Sequence, residues 1–373
     1  MSIRQFLRIG LVLFLCSTTS CRDHSSQSVR IGALLPLSGS GSNYGRSLRQ
    51  GLEIAKGEIN ANGGINGKQL EIIYEDSQGD PKVAISGFEK LSSFDHVPVV
   101  IGSISSVVLA LAPTADREHV VLINSSAMSP KICTEATDYL FSFMVSGSDE
   151  ARFMASTYVN AHRMSPIAVL YSNNASGIDT RDAFISDLTA RGGHIAVQEG
   201  YELNSTDFRT QLTKIKASNA QYGYLLAFSS AEFAQILKQS QELGLKIKWY
   251  SYSGFETRET LSLAGSAADG VVYSYPSYSG HFDAMQKFQA QYESSYGSIP
   301  DVYTTTSYDT MKVLAQAMAQ SSDYSPATIR QELLRKSYEG LFGIFKFSEP
   351  QCVARQPMWK TVSGGKFVPA SGN

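Results

Sequence analysis

Two serine-rich segments contain the residue types and spacing that could bind an anion. Ser103, Ser105 and Ser106 follow an apolar strand-like run and directly precede an apolar helical stretch, and Ser125 and Ser126 follow the next such run. Free backbone N–H groups at a helix start, with short hydroxyl side chains, form a cradle that fits a carboxylate. Because parallel strands end at one edge of a sheet, we expect both segments in one site there. Helix capping alone would explain any single serine.

A glycine-rich segment, Gly39 to Gly45, could instead bind the phosphates of a dinucleotide. It follows the first strand-like run and opens the first helix, as a dinucleotide-binding loop does. However, its third glycine comes one residue too late for the Gly-x-Gly-x-x-Gly pattern, and the acid after the next strand, Asp76, lies too far along the chain. We therefore interpret the segment as a turn between strand and helix, and we predict no cofactor.

Motifs for catalysis and metal binding are missing from the sequence. It has no Cys-x-x-Cys, no His-Glu-x-x-His, no Walker loop and no Gly-x-Ser-x-Gly, and its six histidines are scattered. A hydrolase that used a serine of the Ser105 segment as its nucleophile would need a base from elsewhere in the chain. We predict a non-enzyme without a metal site, and the serine hydrolase stays as the less favoured alternative.

The composition is that of a folded globular protein. The chain has 373 residues, of which 43% are hydrophobic and 18% charged. At about 100 to 200 residues per domain, this length predicts two domains. The formal net charge of −2 provides no basic excess, so we expect no nucleic-acid partner.

The N-terminus has the pattern of a secretory signal. Two arginines precede an apolar run from Ile9 to Cys16, and a small polar run follows it up to Cys21. The apolar run is far shorter than the ~20 residues of a membrane-spanning helix. We interpret residues 1–20 as a cleaved signal peptide, Cys21 as a lipidated N-terminus and residues 21–28 as a tether. Plain cleavage before Cys21, without a lipid, is the alternative.

Strand and helix patterns alternate along most of the chain. Short apolar runs, typical of strands buried on both faces, alternate with amphipathic helical stretches from Val29 to Ile123 and again from Ile167 to Tyr275. Each series predicts a doubly wound α/β domain with a parallel sheet. Three helical stretches follow, and then two strand-like runs that we expect to form a hairpin, Gly343 to Phe347 and Met358 to Val362.

Several segments of the sequence match those of a known family. They are Ile31-Gly-Ala-Leu-Leu-Pro-Leu-Ser-Gly39, Tyr44-Gly45, Glu58-Ile-Asn-Ala-Asn-Gly-Gly-Ile-Asn-Gly67, Tyr74-Glu-Asp-Ser-Gln-Gly-Asp-Pro81, Ile101-Gly-Ser103, Ser125-Ser-Ala-Met-Ser-Pro130 and Tyr308-Asp309. With these segments the chain resembles the type I periplasmic binding proteins of the branched-chain amino acid group, which are extracytoplasmic receptors of ABC importers. The resemblance covers residues 29 to about 368.

The resemblance implies two interleaved domains joined by a three-segment hinge. Domain 1 would contain residues 29–145 plus 276–344, and domain 2 would contain residues 146–275 plus 345–373. Such proteins close like a flytrap on a small-molecule ligand, here an amino acid or a related small carboxylate, and a membrane permease recognises the closed form. A monomer is expected. A ligand sensor or envelope regulator of the same fold, without a permease, is the alternative.

The resemblance also implies a ligand site on domain 1. The matching hydroxyl that caps the ligand carboxylate is Ser105, beside Ser106, and the backbone groups around the ligand head are those of Ser126 and Ala127. Tyr44 matches an aromatic residue at the rim of the cleft. Together these residues would form the domain 1 side of the ligand site.

Two positions of the predicted site differ from the family pattern, and two further site residues are expected on domain 2. Met128 stands where amino-acid binders have Thr, so one side-chain hydrogen bond is lost, and Ser176 stands where Tyr is common, which leaves more room. On domain 2 the resemblance implies Ser229 at the cleft and Glu256 near the acidic partner of a ligand ammonium, since a buried ammonium requires a carboxylate. The alternative for Glu256 is an exposed acid at a helix N-terminus.

Two cysteines, Cys133 and Cys352, remain in the body of the chain. In an oxidising compartment they could form a disulfide, and two unpaired half-buried thiols are the equal alternative.

Overall fold

The structure is a computed structural model that describes residues 28–39, 41–135, 137–162, 165–278, 280–347 and 351–370. The signal peptide, Cys21 and most of the tether lie outside these described residues. The strands are β1 Ser28–Leu35, β2 Gln69–Asp76, β3 Val99–Gly102, β4 Val121–Asn124, β5 Leu140–Ser142, β6 Ile167–Ser172, β7 Ile195–Tyr201, β8 Tyr222–Leu226, β9 Lys248–Ser251, β10 Val272–Pro276, β11 Ser337–Gly340, β12 Gly343–Lys346, β13 Pro357–Ser363 and β14 Lys366–Pro369. The α-helices are α1 Ser42–Ala61, α2 Pro81–Glu89, α3 Ser105–Glu118, α4 Lys131–Thr134, α5 Gly147–His162, α6 Ala175–Ala190, α7 Arg209–Ala217, α8 Ser230–Glu242, α9 Arg258–Ala264, α10 Phe282–Tyr296, α11 Val302–Gln320 and α12 Pro326–Arg335.

Two separate sheets confirm the prediction of two doubly wound domains. The first sheet has the order β2-β1-β3-β4-β5, and its strands are parallel. The second has the order β14-β13-β10-β9-β8-β6-β7, and it is parallel except for β13 and β14. Helices cover both faces of such sheets, which is why Ile31, Ala33 and Leu35 and their neighbour Leu34 are all fully buried on β1.

The chain crosses between the two domains three times. The first crossing lies between β5 and α5, and the second follows β10. The third comes later than expected, because residues 351–353 still pair with β5 of domain 1. The Ser142 N–H donates to the Gln351 carbonyl (2.8 Å), and the Val353 N–H donates to the Ser142 carbonyl (3.1 Å). The expected boundary after residue 344 therefore moves to the stretch between Val353 and Pro357.

The predicted hairpin near the C-terminus is wrong. Strand β12 pairs with β11, whereas β13 pairs with β10 and β14 of the second sheet. The two apolar runs are both strands, but they belong to different domains. A strand pattern identifies the strand and one buried face, and it does not identify the partner.

Two glycines allow α1 to pack closely against its neighbours, and this packing fixes the position of the residues at the start of the helix. Gly45 lies where a side chain would overlap the Pro36 carbonyl, and Gly51 lies against the Thr304 carbonyl and the Ser307 hydroxyl on α11. Only glycine allows these two approaches. As a result, α1 and α11 form one layer of domain 1, with Tyr44 at its cleft end.

A disulfide joins Cys133 on α4 to Cys352, which pairs with β5 just before the third crossing, with 6.0 Å between the two Cα atoms. The residues are 219 positions apart in sequence, so the bond closes a long loop. Constraint of the unfolded chain by such a loop typically stabilises a protein by about 2–4 kcal/mol. The bond also ties the segment after Ser129 to the hinge.

Within the described part of the chain, no helix combines the length and the apolar character that a membrane span requires.

Candidate ligand-binding site

The start of α3 presents an open helix N-terminus to the cleft. Ser105 is its first residue, and Ile104 before it has a left-handed backbone (φ 67°) and an apolar side chain that supplies no cap. A non-glycine residue with positive φ is unusual and is often found at functional sites. Because Ile104 cannot cap the helix, the first N–H groups remain available to an anion.

Ser105 itself is oriented by the neighbouring loop. Its side chain is buried, and its Oγ accepts a hydrogen bond from the Ser129 N–H (3.2 Å). An oxygen that accepts from a backbone N–H keeps its own proton to donate. Ser105 can therefore donate to a carboxylate, as the sequence predicts. The Ser106 side chain is exposed one position further along, so only its backbone is near this helix start.

The loop after β4 is shaped by Asn124, which the sequence analysis missed. Its Oδ1 accepts from the N–H groups of Ser126 (3.2 Å) and Ala127 (2.7 Å), and its Nδ2 donates to the Ala127 carbonyl (2.8 Å). These two N–H groups therefore already have a partner, which corrects their predicted role toward the ligand head. The Met128 carbonyl accepts from the Gly147 N–H (2.7 Å), so this loop contacts the start of α5 on domain 2.

Tyr44 lies between the domains rather than at an open rim. Its hydroxyl donates to the Phe228 carbonyl on domain 2, and its ring lies 4.8 Å from Tyr303 and 5.6 Å from Phe228, measured between centroids. Burial raises the pKa of Tyr44 well above its ordinary value, with smaller contributions from nearby Tyr252 and other acidic groups. The hydroxyl thus stays protonated and remains a donor.

The predicted serines on domain 2 occupy helix starts. Ser229 caps α8 in a reciprocal arrangement, in which its Oγ accepts from the Glu232 N–H (3.2 Å) and the Glu232 carboxylate accepts from the Ser229 N–H (3.1 Å). Ser176 is half-buried in the first turn of α6, which Asn174 caps. The structure explains Ser229 as a cap, whereas a ligand contact of Ser176 stays a prediction.

Glu256 requires a correction. Its carboxylate lies within 2.6 Å of the Lys360 Nζ and also accepts from the Tyr273 hydroxyl, and both ionic side chains are almost fully buried. A carboxylate with an internal cationic partner needs no ammonium from a ligand. Glu256 is therefore neither the ligand's counter-ion nor a surface acid, but half of an ion pair inside domain 2.

Polar contacts join the domains across the cleft. Asp179 on α6 accepts from the Ser129 hydroxyl and lies 3.2 Å from the Lys131 Nζ, and Asn43 on α1 donates to Glu259 on α9. These contacts connect the serine loops of domain 1 to domain 2, so the structure represents a closed form. No local motif distinguishes Asp179, which is why the sequence did not indicate it.

The described residues contain no group of three or more His, Cys, Asp and Glu side chains placed to hold a metal ion. Among the described residues, the hydrogen bond of the Ser105 hydroxyl is the one it accepts from the Ser129 N–H, and no histidine or lysine side chain is placed to accept its proton. The arrangement suits binding of an anion by hydrogen-bond donors.

Two doubly wound domains, three crossings and a closed cleft between the sheet edges define a two-domain solute-binding protein. The profile of the family described as "Periplasmic binding protein" matches residues 28–363. The chain therefore belongs to this family of type I periplasmic binding proteins, and it is similar to relatives that are named as leucine, isoleucine and valine binders. This family consists of solute-binding proteins, and membership implies export to the periplasm.

Individual relatives show the range of this fold. An "Amino acid binding protein" of Pseudomonas aeruginosa is 26% identical over 351 residues, which cover 92% of each chain. The crystal structure of a leucine-binding protein from Thermotoga maritima has a TM-score of 0.83 at 21% identity, over 92% of this chain and 98% of that one. An ABC-transporter solute-binding protein from Rhodopseudomonas palustris in complex with benzoate also has a TM-score of 0.83 at 21% identity, over 92% of this chain and 95% of that one.

Proposed function

We propose that this protein is the extracytoplasmic receptor of an ABC importer and that it captures an amino acid or a related small carboxylate in the cleft between its domains. The observation that carries the proposal is the uncapped start of α3, with the buried Ser105 hydroxyl beside it. Backbone N–H groups and a hydroxyl donor on a helix N-terminus favour a carboxylate. Two relatives are named as amino-acid-binding and leucine-binding proteins, and a third is solved in complex with benzoate. All of these ligands are carboxylates, which supports a carboxylate as the ligand here.

Closure is the step that this function needs. With the ligand carboxylate held on domain 1, domain 2 can close over it and form the contacts of Tyr44, Asp179 and Asn43 across the cleft. A ligand that binds the closed form better than the open form shifts the population toward closure. A membrane permease would then recognise the closed monomer.

We expect the ligand to stabilise the protein against heat. A ligand at one hundred times its dissociation constant adds about 2.7 kcal/mol to the free energy of unfolding, because it binds only the folded state. The measurement is a thermal melt of refolded, ligand-stripped protein against the twenty amino acids and a set of small carboxylates that includes benzoate. If no compound shifts the melting temperature, the proposed ligand class is wrong.

We also propose that Cys21 carries a lipid that anchors the receptor to the membrane. The proposal rests on the apolar run and the small residues before Cys21 in the sequence. The Cys21→Ala variant should move from the membrane fraction to the soluble fraction, since a tether without acyl chains has no affinity for the bilayer. Equal membrane association of the variant and the parent would contradict a lipid at this position.

A further inference from the structure

Domain 2 contains a cavity that is separate from the cleft. Its volume is about 450 Å³, within the range of roughly 300–1,000 Å³ that is usual for small-molecule sites. Lys248 begins β9, Val272 begins β10 and Ser363 ends the antiparallel β13, and all three line the cavity. The cleft lies at the carboxyl ends of the parallel strands. The cavity therefore opens at the opposite edge of the second sheet, and we call it the domain 2 pocket.

One face of the second sheet forms the floor of the domain 2 pocket. The pairing register places Tyr250, Val272 and Thr361 side by side on β9, β10 and β13. Trp359 is two residues before Thr361, so it lies on the same face of the sheet. The C-terminal half of α5 forms one wall. The floor therefore contains two aromatic rings, those of Tyr250 and Trp359.

The Trp359 indole is only partly covered by the protein. Its ring lies 4.8 Å from that of Phe153 on α5 and 5.8 Å from that of Tyr250, measured between centroids. The side chain nevertheless remains half-buried, and it lines the domain 2 pocket. An aromatic surface that neighbouring rings hold in place, and that is not fully covered, favours the packing of a planar ring from a ligand.

The charge of the domain 2 pocket is positive. Lys248 lines it, whereas no Asp or Glu is among the described residues that do so. The Lys248 ammonium lies 5.6 Å from the centroid of the Tyr250 ring, and it forms no ion pair with a described residue. This cation therefore has no internal counter-ion, and a carboxylate on a ligand would complement its charge.

His162 and Tyr250 add a hydrogen-bond donor to the same pocket. The His162 Nε2 lies 2.7 Å from the Tyr250 hydroxyl oxygen. Burial lowers the pKa of His162, and the charge of Lys248 lowers it further, so the imidazole is neutral at neutral pH. Burial raises the pKa of Tyr250 to about 12, so its hydroxyl keeps its proton. A neutral imidazole and a phenol each carry one proton, and their mutual hydrogen bond uses only one of the two. The other proton can be donated to a ligand in either tautomer.

We propose that the domain 2 pocket is a second ligand site of this protein and that it binds a small aromatic carboxylate. The carboxylate would pair with Lys248 and accept the remaining proton of the His162–Tyr250 pair, and the aromatic ring would pack against Trp359. All residues that line the pocket belong to domain 2. The site does not need the cleft, so this proposal is independent of the proposed function.

The two tryptophans of the chain, Trp249 and Trp359, allow this site to be observed separately from the cleft. Only Trp359 lines the domain 2 pocket. Protein labelled with fluorotryptophan should give two fluorine resonances, and the Trp359→Phe variant identifies the one that belongs to Trp359. Benzoate and indoleacetate, at concentrations up to about 1 mM, should shift the Trp359 resonance much more than the Trp249 resonance.

Two further compounds separate the ring from the charge. Cyclohexanecarboxylate has the charge of benzoate without its aromatic ring, and benzamide has the ring without the charge. Each should bind about three- to tenfold more weakly than benzoate in the same titration, because each lacks one of the two contacts.

The variant Lys248→Met removes the cation, and Lys246→Met is the matched control. Both lysines are exposed, and Lys246 does not line the domain 2 pocket. Lys248→Met should weaken benzoate by about three- to tenfold and remove the preference for benzoate over benzamide, whereas Lys246→Met should change the affinity by less than about twofold. Ser105→Ala, on domain 1, should leave the titration of the Trp359 resonance unchanged.

The proposal is overturned if neither aromatic carboxylate shifts the Trp359 resonance, if cyclohexanecarboxylate or benzamide binds as tightly as benzoate, or if Lys248→Met binds benzoate like Lys246→Met. A Trp359 shift that Ser105→Ala abolishes would come from the cleft, and it would also overturn the second site. The same variants assign the thermal melt. Stabilisation by benzoate that Lys248→Met reduces and Ser105→Ala preserves belongs to the domain 2 pocket, so a failure of the proposed receptor function remains distinguishable.

Discussion

Replacing Lys360 with methionine should lower the free energy of unfolding by about 3–5 kcal/mol, because the change leaves the buried Glu256 carboxylate without its cationic partner. Among the described residues, only the Tyr273 hydroxyl would still donate to that carboxylate. The lysine also lies over the Tyr275 ring, 4.4 Å from its centroid, so a methionine of similar length keeps much of the packing. Urea unfolding of the ligand-free protein measures the loss.

The double variant Glu256→Gln with Lys360→Met is the matched control. It removes both charges, so it should recover most of the stability that the single Lys360→Met change loses. The same experiment decides between the two interpretations of Glu256. If Lys360→Met unfolds at the same urea concentration as the parent, and Glu256→Gln abolishes ligand binding without loss of stability, then Glu256 binds the ligand after all.

Replacing Ser105 with alanine should weaken ligand binding by roughly tenfold to a hundredfold, which corresponds to about 1.5–3 kcal/mol for a hydrogen bond to a charged group. The change removes the donor to the ligand carboxylate and also the acceptor for the Ser129 N–H. Titration calorimetry with the best ligand from the melt screen measures the loss. Because the buried Ser129 N–H loses its acceptor, the free energy of unfolding should also fall by about 1–3 kcal/mol, and the protein should stay folded.

Ser106→Ala provides the control for this prediction. Ser106 is the next residue on α3, and its side chain is exposed, so its loss should leave affinity nearly unchanged. The pair separates a role of the hydroxyl from a general effect on the helix start. Equal affinities of Ser105→Ala and Ser106→Ala would show that the carboxylate is held without the Ser105 hydroxyl.

Much of the fold was predictable because its signals are local. The run from Val29 to Leu35 is apolar on both faces, and it is a strand buried between two helical layers. The breaker Asn62-Gly63-Gly64 ends α1 where the helical pattern stops. In contrast, the pairing of β12 and β13 depends on partners far away in sequence, and their own residues do not encode it.

The candidate site was predictable in part for the same reason. Ser105 and Tyr44 stand near the starts of elements that the pattern locates, since Ser105 begins α3 and Tyr44 lies in the first turn of α1. The roles of Ser126, Ala127 and Glu256 were not predictable, because they depend on which hydrogen-bond partners each group already has. The Asn124 Oδ1 already accepts hydrogen bonds from the N–H groups of Ser126 and Ala127, and the Lys360 ammonium already pairs with the Glu256 carboxylate.

The sequence by itself determined the two α/β domains, the serine-bearing strand ends and the family, since hydrophobic periodicity and short motifs are properties of neighbouring residues. Only the tertiary structure decided which buried charges are compensated. Lys360 is 104 positions from Glu256 in the sequence, and the two charges meet only in the folded chain. Electrostatic energy depends on distance and burial in space, so an acid with a cation beside it and an acid without one look alike in the sequence.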